Sequence, residues 1–303
     1  MKTGWKEWAL AVLLAWVLPW VMASAMLPAE APLETTGHGE PLEIRLLRDG
    51  ELVSMELEEY LVGVLLGELP ADFLPEAKKA QAAAARTYAL STVERGVKHP
   101  GAVCADSGCC QKWVDPASRP QEAVESARAA VEATLGQVLV YDGKLIDATY
   151  FSGSGGRTEA AVAVWGSDVP YLQSVESPGE EDTAHYRKET VFSTGDFLEK
   201  LGLSEPLALG AVTFTEGGGV ESILICGKRF TGTQVRQILG LPSTAFQITH
   251  TGTKVRIQTA GYGHRVGMSQ YGAEAMARDG KTWQEILAHY YPGTEVKMLH
   301  DAL

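Results

Sequence analysis

The sequence predicts an α+β protein: a membrane-anchored, extracytoplasmic mixed α/β core with an inserted β-rich lobe. Three observations predict it. Residues Trp8 to Leu27 form an uncharged apolar run ahead of the rest of the chain. Asp49-Gly50 and Asp142-Gly143 each sit between strand-like runs, a strong short-range hairpin signal, and helix-period stretches follow or precede them. Residues 190 to 258 then carry several short strands around Gly217-Gly218-Gly219 before helical signals return.

The apolar run, WALAVLLAWVLPWVMASAML, has roughly 20 residues, long enough to span a bilayer as a helix. Lys2 and Lys6 precede it, which places the N-terminus in the cytoplasm. Ala23-Ser24-Ala25 also reads as a small-residue cleavage site, so a cleaved signal is the alternative to a retained anchor. The length and Trp16 and Trp20 favour an anchor over residues 1–27. Both readings put the main body outside the cytoplasm. Residues 28–40, rich in Pro, Glu, Thr and Gly, read as a flexible tether. The chain has 303 residues, 45% of them hydrophobic, enough for one large domain or two smaller ones. Its net charge of −12 argues against nucleic acid as a partner and is compatible with a neutral sugar polymer.

The core is expected over 41–189 and again over 259–303, with the lobe at 190–258. Leu42 to Leu47 and Glu51 to Met55 form the first hairpin. A helix follows, with Leu57, Leu61, Val64 and Leu65 on one stripe and Pro70 as its stop. Glu68 takes the next position of that stripe. A carboxylate where a core side chain belongs is unusual. Burial and the negative helix end both disfavour its ionised form, so Glu68 is a candidate general acid. A structural, ion-paired Glu is the plainer alternative.

A second helix starts near Pro75 and stops at Gly96. Its run of alanines lets neighbouring helices approach closely. Lys79 and Arg86, seven apart, share one face; Gln81 and Tyr88 share another. On this reading a cationic face lies beside Glu68. A solvated charged face is the alternative. Gln121 to Leu135 is a helix closed by Gly136. Gln137 to Tyr141 and Lys144 to Phe151 form the second hairpin, which runs into the loop Ser152-Gly153-Ser154-Gly155-Gly156. In the lobe, Gly195 to Leu203 and Gln234 to Leu239 are helical; Ala211 to Thr215, Glu221 to Cys226, Phe246 to Thr249 and Lys254 to Thr259 are strands. The lobe carries no catalytic constellation. Near the end, Gly261 to Gly267 is a Gly-rich loop, Ser269 to Arg278 a helix, and Thr282-Trp283-Gln284-Glu285 a capping box for the last helix.

Three ordered blocks resemble the stage II sporulation protein D family. The first runs from Glu59 through Gly67-Glu68-Leu69-Pro70 to Glu76–Tyr88. The second is Tyr150-Phe151-Ser152-Gly153-Ser154-Gly155-Gly156-Arg157-Thr158, with Val164-Trp165-Gly166 and Pro170-Tyr171-Leu172 after it. The third is Gly263-His264-Arg265-Val266-Gly267-Met268-Ser269-Gln270-Tyr271-Gly272-Ala273, which leads into Glu285–Thr294. The resemblance covers about residue 40 to the end. It implies a lytic transglycosylase acting on peptidoglycan glycan strands stripped of stem peptides, with Glu68 as the single acid/base. It implies a substrate groove of Lys79, Gln81, Arg86, Tyr88, Tyr150, Ser152, Ser154, His264, Ser269, Gln270 and Tyr271. Lys79 and Arg86 would orient the muramic lactyl carboxylate or tune Glu68, so neutralising Arg86 would lower activity without unfolding. The family usually has Gly where this chain has Arg265; the arginine would add a cation near the substrate.

No second acid stands out. Glu58 and Glu59 lie roughly 15 Å from Glu68 along the helix and read as first-turn acids. Asp72 reads as a cap for the second helix. The chemistry requires no cofactor. Cys104, Cys109, Cys110 and Cys226 are too few for a disulfide scaffold. His99, Cys104 and Cys110 are similar to the His/Cys/Cys zinc site of some family members, where three ligands and a water would complete a structural tetrahedral ion. A Cys104 disulfide or free thiols are the alternatives. The resemblance further implies a role in engulfment during sporulation, in the space between forespore and mother cell. The implied partners are stage II sporulation proteins P (an amidase/endopeptidase) and M (a membrane protein). Related amidase enhancers supply a rival, non-enzymatic reading; a zinc peptidase lacks its H-E-x-x-H pattern.

Overall fold

The computed structural model describes residues 41–96 and 98–302. The expected anchor and tether, 1–40, lie outside the described residues. No described helix is long and apolar enough to cross a membrane.

The chain opens on an antiparallel hairpin of β1 (Glu43–Arg48) and β2 (Glu51–Glu56), with Leu47 opposite Leu52. Asp49 and Gly50 have φ of 53° and 83°, the left-handed pair that a two-residue primed turn requires. Helix α1 (Leu57–Glu68) follows directly, buries Leu57 and Tyr60 to Leu65, and gives way to extended backbone at Leu69, ahead of Pro70. Helix α2 (Pro75–Arg95) has Pro in its first turn and left-handed Gly96 as its C-cap. The expected Asp72 cap does not form. Leu74 takes the N-cap position, and its N–H donates to the Glu274 carboxylate at 2.7 Å.

The alanines of α2 explain its central place. Ala80, Ala83 and Ala84 belong to one apolar core, and Ala82, Ala85 and Ala89 to the other. Methyl side chains let helices approach α2 on both sides at little entropic cost. The first core also takes Phe73, Met268, Trp283, Ile286 and Tyr290. The second takes Ile44, Leu46, Leu61, Val64, Val131 and Val138.

β3 (Val103–Cys104) lies parallel to β1. After α3 (Gln121–Ala133), β4 (Gln137–Tyr141) turns through left-handed Asp142 and Gly143 into β5 (Lys144–Leu145). The sequence expects that second strand to reach Phe151, but it ends at Leu145. β6 (Tyr150–Phe151) instead pairs in parallel with β15 (Met268–Ser269). β7 (Gly156–Arg157) and β8 (Glu176–Ser177) pair across the short α4 (Ala161–Trp165).

Residues 187–260 carry β9 (Arg187–Ser193), α5 (Thr194–Leu201), β10 (Leu209–Phe214), β11 (Val220–Ile225), β12 (Lys228–Thr231), α6 (Gly232–Leu239), β13 (Ala245–Thr251) and β14 (Lys254–Ala260). They form two three-stranded sheets, ordered β10-β11-β12 and β13-β14-β9. A separate apolar cluster of Phe197, Ile223, Ile225, Val235, Phe246 and Ile257 fills the space between sheets and helices. The chain then returns through β15, α7 (Gln270–Arg278) and α8 (Trp283–Tyr290) to β16 (Glu295–Met298), which pairs with β4. Thr282 and Glu285 form the capping box of α8.

Candidate active site

Where the end of α1, the start of α7 and β6 meet, a cleft of about 730 Å³ opens. Glu68 lies in it because α1 ends there. Gly67 permits this: a Cβ at that position would sit 2.5 Å from the Lys112 carbonyl oxygen. The absent side chain lets the 110–113 segment lie against the helix end. The Lys112 N–H then donates to Glu68 Oε1 at 2.6 Å, and Gln270 Nε2 donates to Oε2 at 3.3 Å. Burial pushes the Glu68 carboxyl above the usual carboxylate range. These two hydrogen bonds and the Lys112 ammonium oppose that shift only in part.

The tyrosines around it are held by a buried amide. Tyr60 Oη donates to Gln111 Oε1 at 2.9 Å, and Gln111 Nε2 donates to Tyr150 Oη at 2.8 Å. Burial, then the charge of Glu68, pushes the Tyr150 phenol well up, so it stays neutral. One wall carries Tyr88, whose Oη accepts from Lys98 Nζ at 2.9 Å. Asp147 also lines the cleft, but Arg95 grips both its oxygens at 2.8 and 2.9 Å. Trp165 and Tyr262 are 47% and 48% exposed at the cleft. His264 packs against Phe151 and Trp165 with ring centroids 5.6 and 5.4 Å away. Burial, reinforced by the charge of Arg236, lowers His264 to about 4. Its neutral Nδ1 accepts the Val266 N–H at 3.1 Å.

Beneath the cleft Glu180 is fully buried. Its carboxylate accepts from Ser154 N–H (2.8 Å), Ser154 Oγ (2.6 Å), Ser177 Oγ (2.7 Å) and Ser269 Oγ (2.8 Å). Four donors make this buried charge tolerable. Ser269 is also the N-cap of α7. Glu180 thus fixes the Ser/Gly loop relative to the helix that carries Gln270.

His99, Cys104, Cys109 and Cys110 place their ligand atoms within 4.8 Å of one another. The Cys109 and Cys110 sulfurs are 4.0 Å apart, and His99 Nε2 is 3.3 Å from Cys109 Sγ. Zinc–sulfur bonds of about 2.3 Å require ligand separations near 3.8 Å in a tetrahedron. The cluster fits zinc with four protein ligands. With zinc bound, Cys109 would take the place expected for water. None of the four cysteines is in a disulfide.

Several sequence expectations are corrected. Lys79 does not face the cleft; it pairs with Glu76 at 2.6 Å. Arg86 is fully buried and grips Glu58 at 2.9 and 2.5 Å, with Thr134 and the Gln137 and Val131 carbonyls as further acceptors. Its guanidinium is paired with Glu58 and does not reach the cleft. Gln81 is likewise inaccessible at 0% exposure. Ser154 and Ser269 point into the Glu180 network, and Tyr271 packs on Phe73 and His185 rather than on the cleft. Arg265 adds no cation to the cleft. It is buried at φ 66° and donates to the Ser154, Arg157 and Gly217 carbonyls and to Glu159. Of the expected groove, Glu68, Tyr88, Tyr150, Ser152, His264 and Gln270 do line the cleft. The sequence reading missed Lys98, Lys112, the Arg95–Asp147 pair and Glu180.

A family model described as stage II sporulation protein matches residues 50–141. Stage II sporulation protein D of Bacillus subtilis (strain 168) is 37% identical over 284 residues, covering 89% of this chain and 82% of that protein. The chain belongs to the stage II sporulation protein D family. The family member from Bacillus amyloliquefaciens is 38% identical over 256 residues, 80% of this chain and 74% of that protein. An amidase enhancer of Bacillus subtilis is 29% identical over 296 residues, 77% of this chain but 40% of that longer protein. As a member of the sporulation family, this chain has its one raised carboxyl among the described residues in a segment that the family model spans.

Proposed function

We propose that this protein is a peptidoglycan lytic transglycosylase that cuts glycan strands stripped of their stem peptides. The observation that carries the reading is the state of the two carboxylates in the cleft. Asp147 is neutralised by Arg95, while burial keeps Glu68 disposed to hold a proton. Hydrolysis of the common kind uses two working carboxylates. An intramolecular cut uses one. Glu68 gives its proton to the oxygen between N-acetylmuramic acid and N-acetylglucosamine as the C1–O bond breaks. The muramic O6 then bonds to C1, and its proton passes to the Glu68 carboxylate. The product is a 1,6-anhydro end, no water is consumed, and the acid is restored. Gln270 and the Lys112 N–H stabilise the carboxylate between the two transfers. Tyr150, Ser152 and His264 shape the cleft around the sugar.

Zinc at His99, Cys104, Cys109 and Cys110 would serve as a structural tie beside the cleft, since four protein ligands leave no open position. In this reading the N-terminal segment anchors the protein with its body outside the cytoplasm, where stage II sporulation proteins P and M would act with it in engulfment. The relative named amidase enhancer favours a second reading, a wall-binding modulator without turnover. Mass spectrometry of products from peptide-free strands separates the two. Anhydro ends made by the parent and absent with Glu68→Ala support the transglycosylase. Reducing ends carrying added water mean a hydrolase, and strand binding without cleavage means the modulator.

A further inference from the structure

The cleft contains three cations, and they are not equivalent. Arg95 spends both terminal nitrogens on Asp147 and its Nε on the Ser91 carbonyl. The Lys112 ammonium acts on the buried Glu68 carboxyl. Lys98 differs from both. Its ammonium has three donors: one goes to Tyr88 Oη and one to the Cys109 carbonyl. The remaining N–H and the full charge have no carboxylate partner among the described residues, and the side chain is exposed where it lines the cleft. It also lies over the Tyr88 ring, 5.5 Å from its centroid, so its position is fixed rather than free to sweep solvent. In a chain of net charge −12, a fixed cation in this cleft with no carboxylate partner among the described residues is a selective place for an anion.

The geometry points to Lys98 as the specificity-determining residue that receives a carboxylate of the bound glycan, the lactyl carboxylate of a muramic acid unit. This rests on the reading of the cleft as a glycan site. A lactyl group amide-linked to a peptide is neutral at that position; a free lactyl group carries one negative charge. Lys98 therefore distinguishes a bare strand from a peptide-bearing one by charge. Trp165 and Tyr262 offer exposed ring faces to any N-acetylated sugar, charged or neutral, so they supply affinity without that distinction.

The test is calorimetric binding in a Glu68→Gln background, where strands stay whole. The probes are an N-acetylglucosamine oligomer, an equally long strand with free lactyl carboxylates, and that same strand with its carboxylates converted to amides. The carboxylate strand is expected to bind about tenfold tighter than the other two, a charge-assisted hydrogen bond's worth. Added salt should erase the difference. Lys98→Met should remove the preference and leave the neutral oligomer's affinity unchanged, and Lys98→Arg should restore it. Equal binding of the three probes by the Glu68→Gln protein overturns the proposal, and so does loss of the preference when Lys112→Met, but not Lys98→Met, is added to it. The probe comparison on the Glu68→Gln protein with Lys98 intact decides the matter even if the Lys98→Met variant fails to fold. Carboxylate-dependent binding in this background, with no cleavage of the same strand by the protein that keeps Glu68, would sink the transglycosylase and leave this inference standing. Cleavage of charged and neutral strands alike would do the reverse.

Discussion

Gln270 Nε2 donates to Glu68 Oε2 across 3.3 Å, joining the end of one helix to the start of another 202 residues later. The bond favours the ionised carboxyl and so restrains the upward shift that burial imposes. Replacing Gln270 by Leu should raise the Glu68 pKa further. In a pH–rate profile of strand cleavage, the limb that falls with rising pH should move to higher pH. An unmoved limb would show that this amide does not tune the acid.

Removing the acid itself should separate activity from stability. Glu68→Gln should lower cleavage by about 10² to 10⁴-fold, the usual contribution of a positioned acid. A raised folded pKa means that the native state holds the proton more tightly than the unfolded chain. That stabilisation is full below the unfolded pKa and is lost as pH rises through the folded one. At neutral pH the neutral amide should therefore melt at the parent's temperature or above. A large drop in Tm would mean that Glu68 is a structural ion.

Arg86 should behave in the opposite way. Arg86→Met leaves Glu58 without its guanidinium, and breaking a buried pair costs about 3 to 5 kcal/mol. Denaturant unfolding should register that loss, while cleavage per folded molecule at low temperature stays near the parent's. Loss of activity at unchanged stability would restore the substrate-orienting role that the sequence suggested.

Metal analysis of the purified protein should find one zinc per chain. Chelation should lower Tm, and Cys109→Ser should weaken retention as strongly as Cys110→Ser. Retention of zinc at parental affinity in Cys109→Ser would return the site to three protein ligands and water.

His264 predicts acid sensitivity. Its folded pKa is depressed to about 4 from an ordinary value of 6.5. The unfolded chain therefore binds the proton more readily. The associated stability is present above pH 6.5 and is lost as pH falls toward 4. Melting curves of the parent should drop more steeply across that window than those of His264→Asn. Parallel curves would argue that the imidazole titrates normally.

Local signals in the sequence located most elements closely. Asp-Gly turns, Pro75, Gly96 and the Thr282–Glu285 box each act through neighbouring backbone, so they are readable without tertiary knowledge. Glu68 was legible for the same reason: its place on an apolar stripe is a local fact. What failed was partner choice. Lys79 and Arg86 share a helix face, but Glu76 and Glu58 claim them, and spacing alone does not say which acid lies opposite. β9 and β12 went unread because their outward-facing residues are charged. Glu180 gave no local sign at all. Its four donors come from residues 154, 177 and 269, which only the folded chain gathers.

The span between Glu68 and Gln270 also imposes an order in time. A chain that emerges N-terminus first presents α1 to solvent long before α7 exists. Until β15 has paired with β6 and Ser269 has reached Glu180, Glu68 is an ordinary solvated carboxylate with an ordinary affinity for protons. Its raised affinity for protons is thus acquired only when the polypeptide is complete, and on the reading proposed above the nascent chain would carry no working acid during its synthesis.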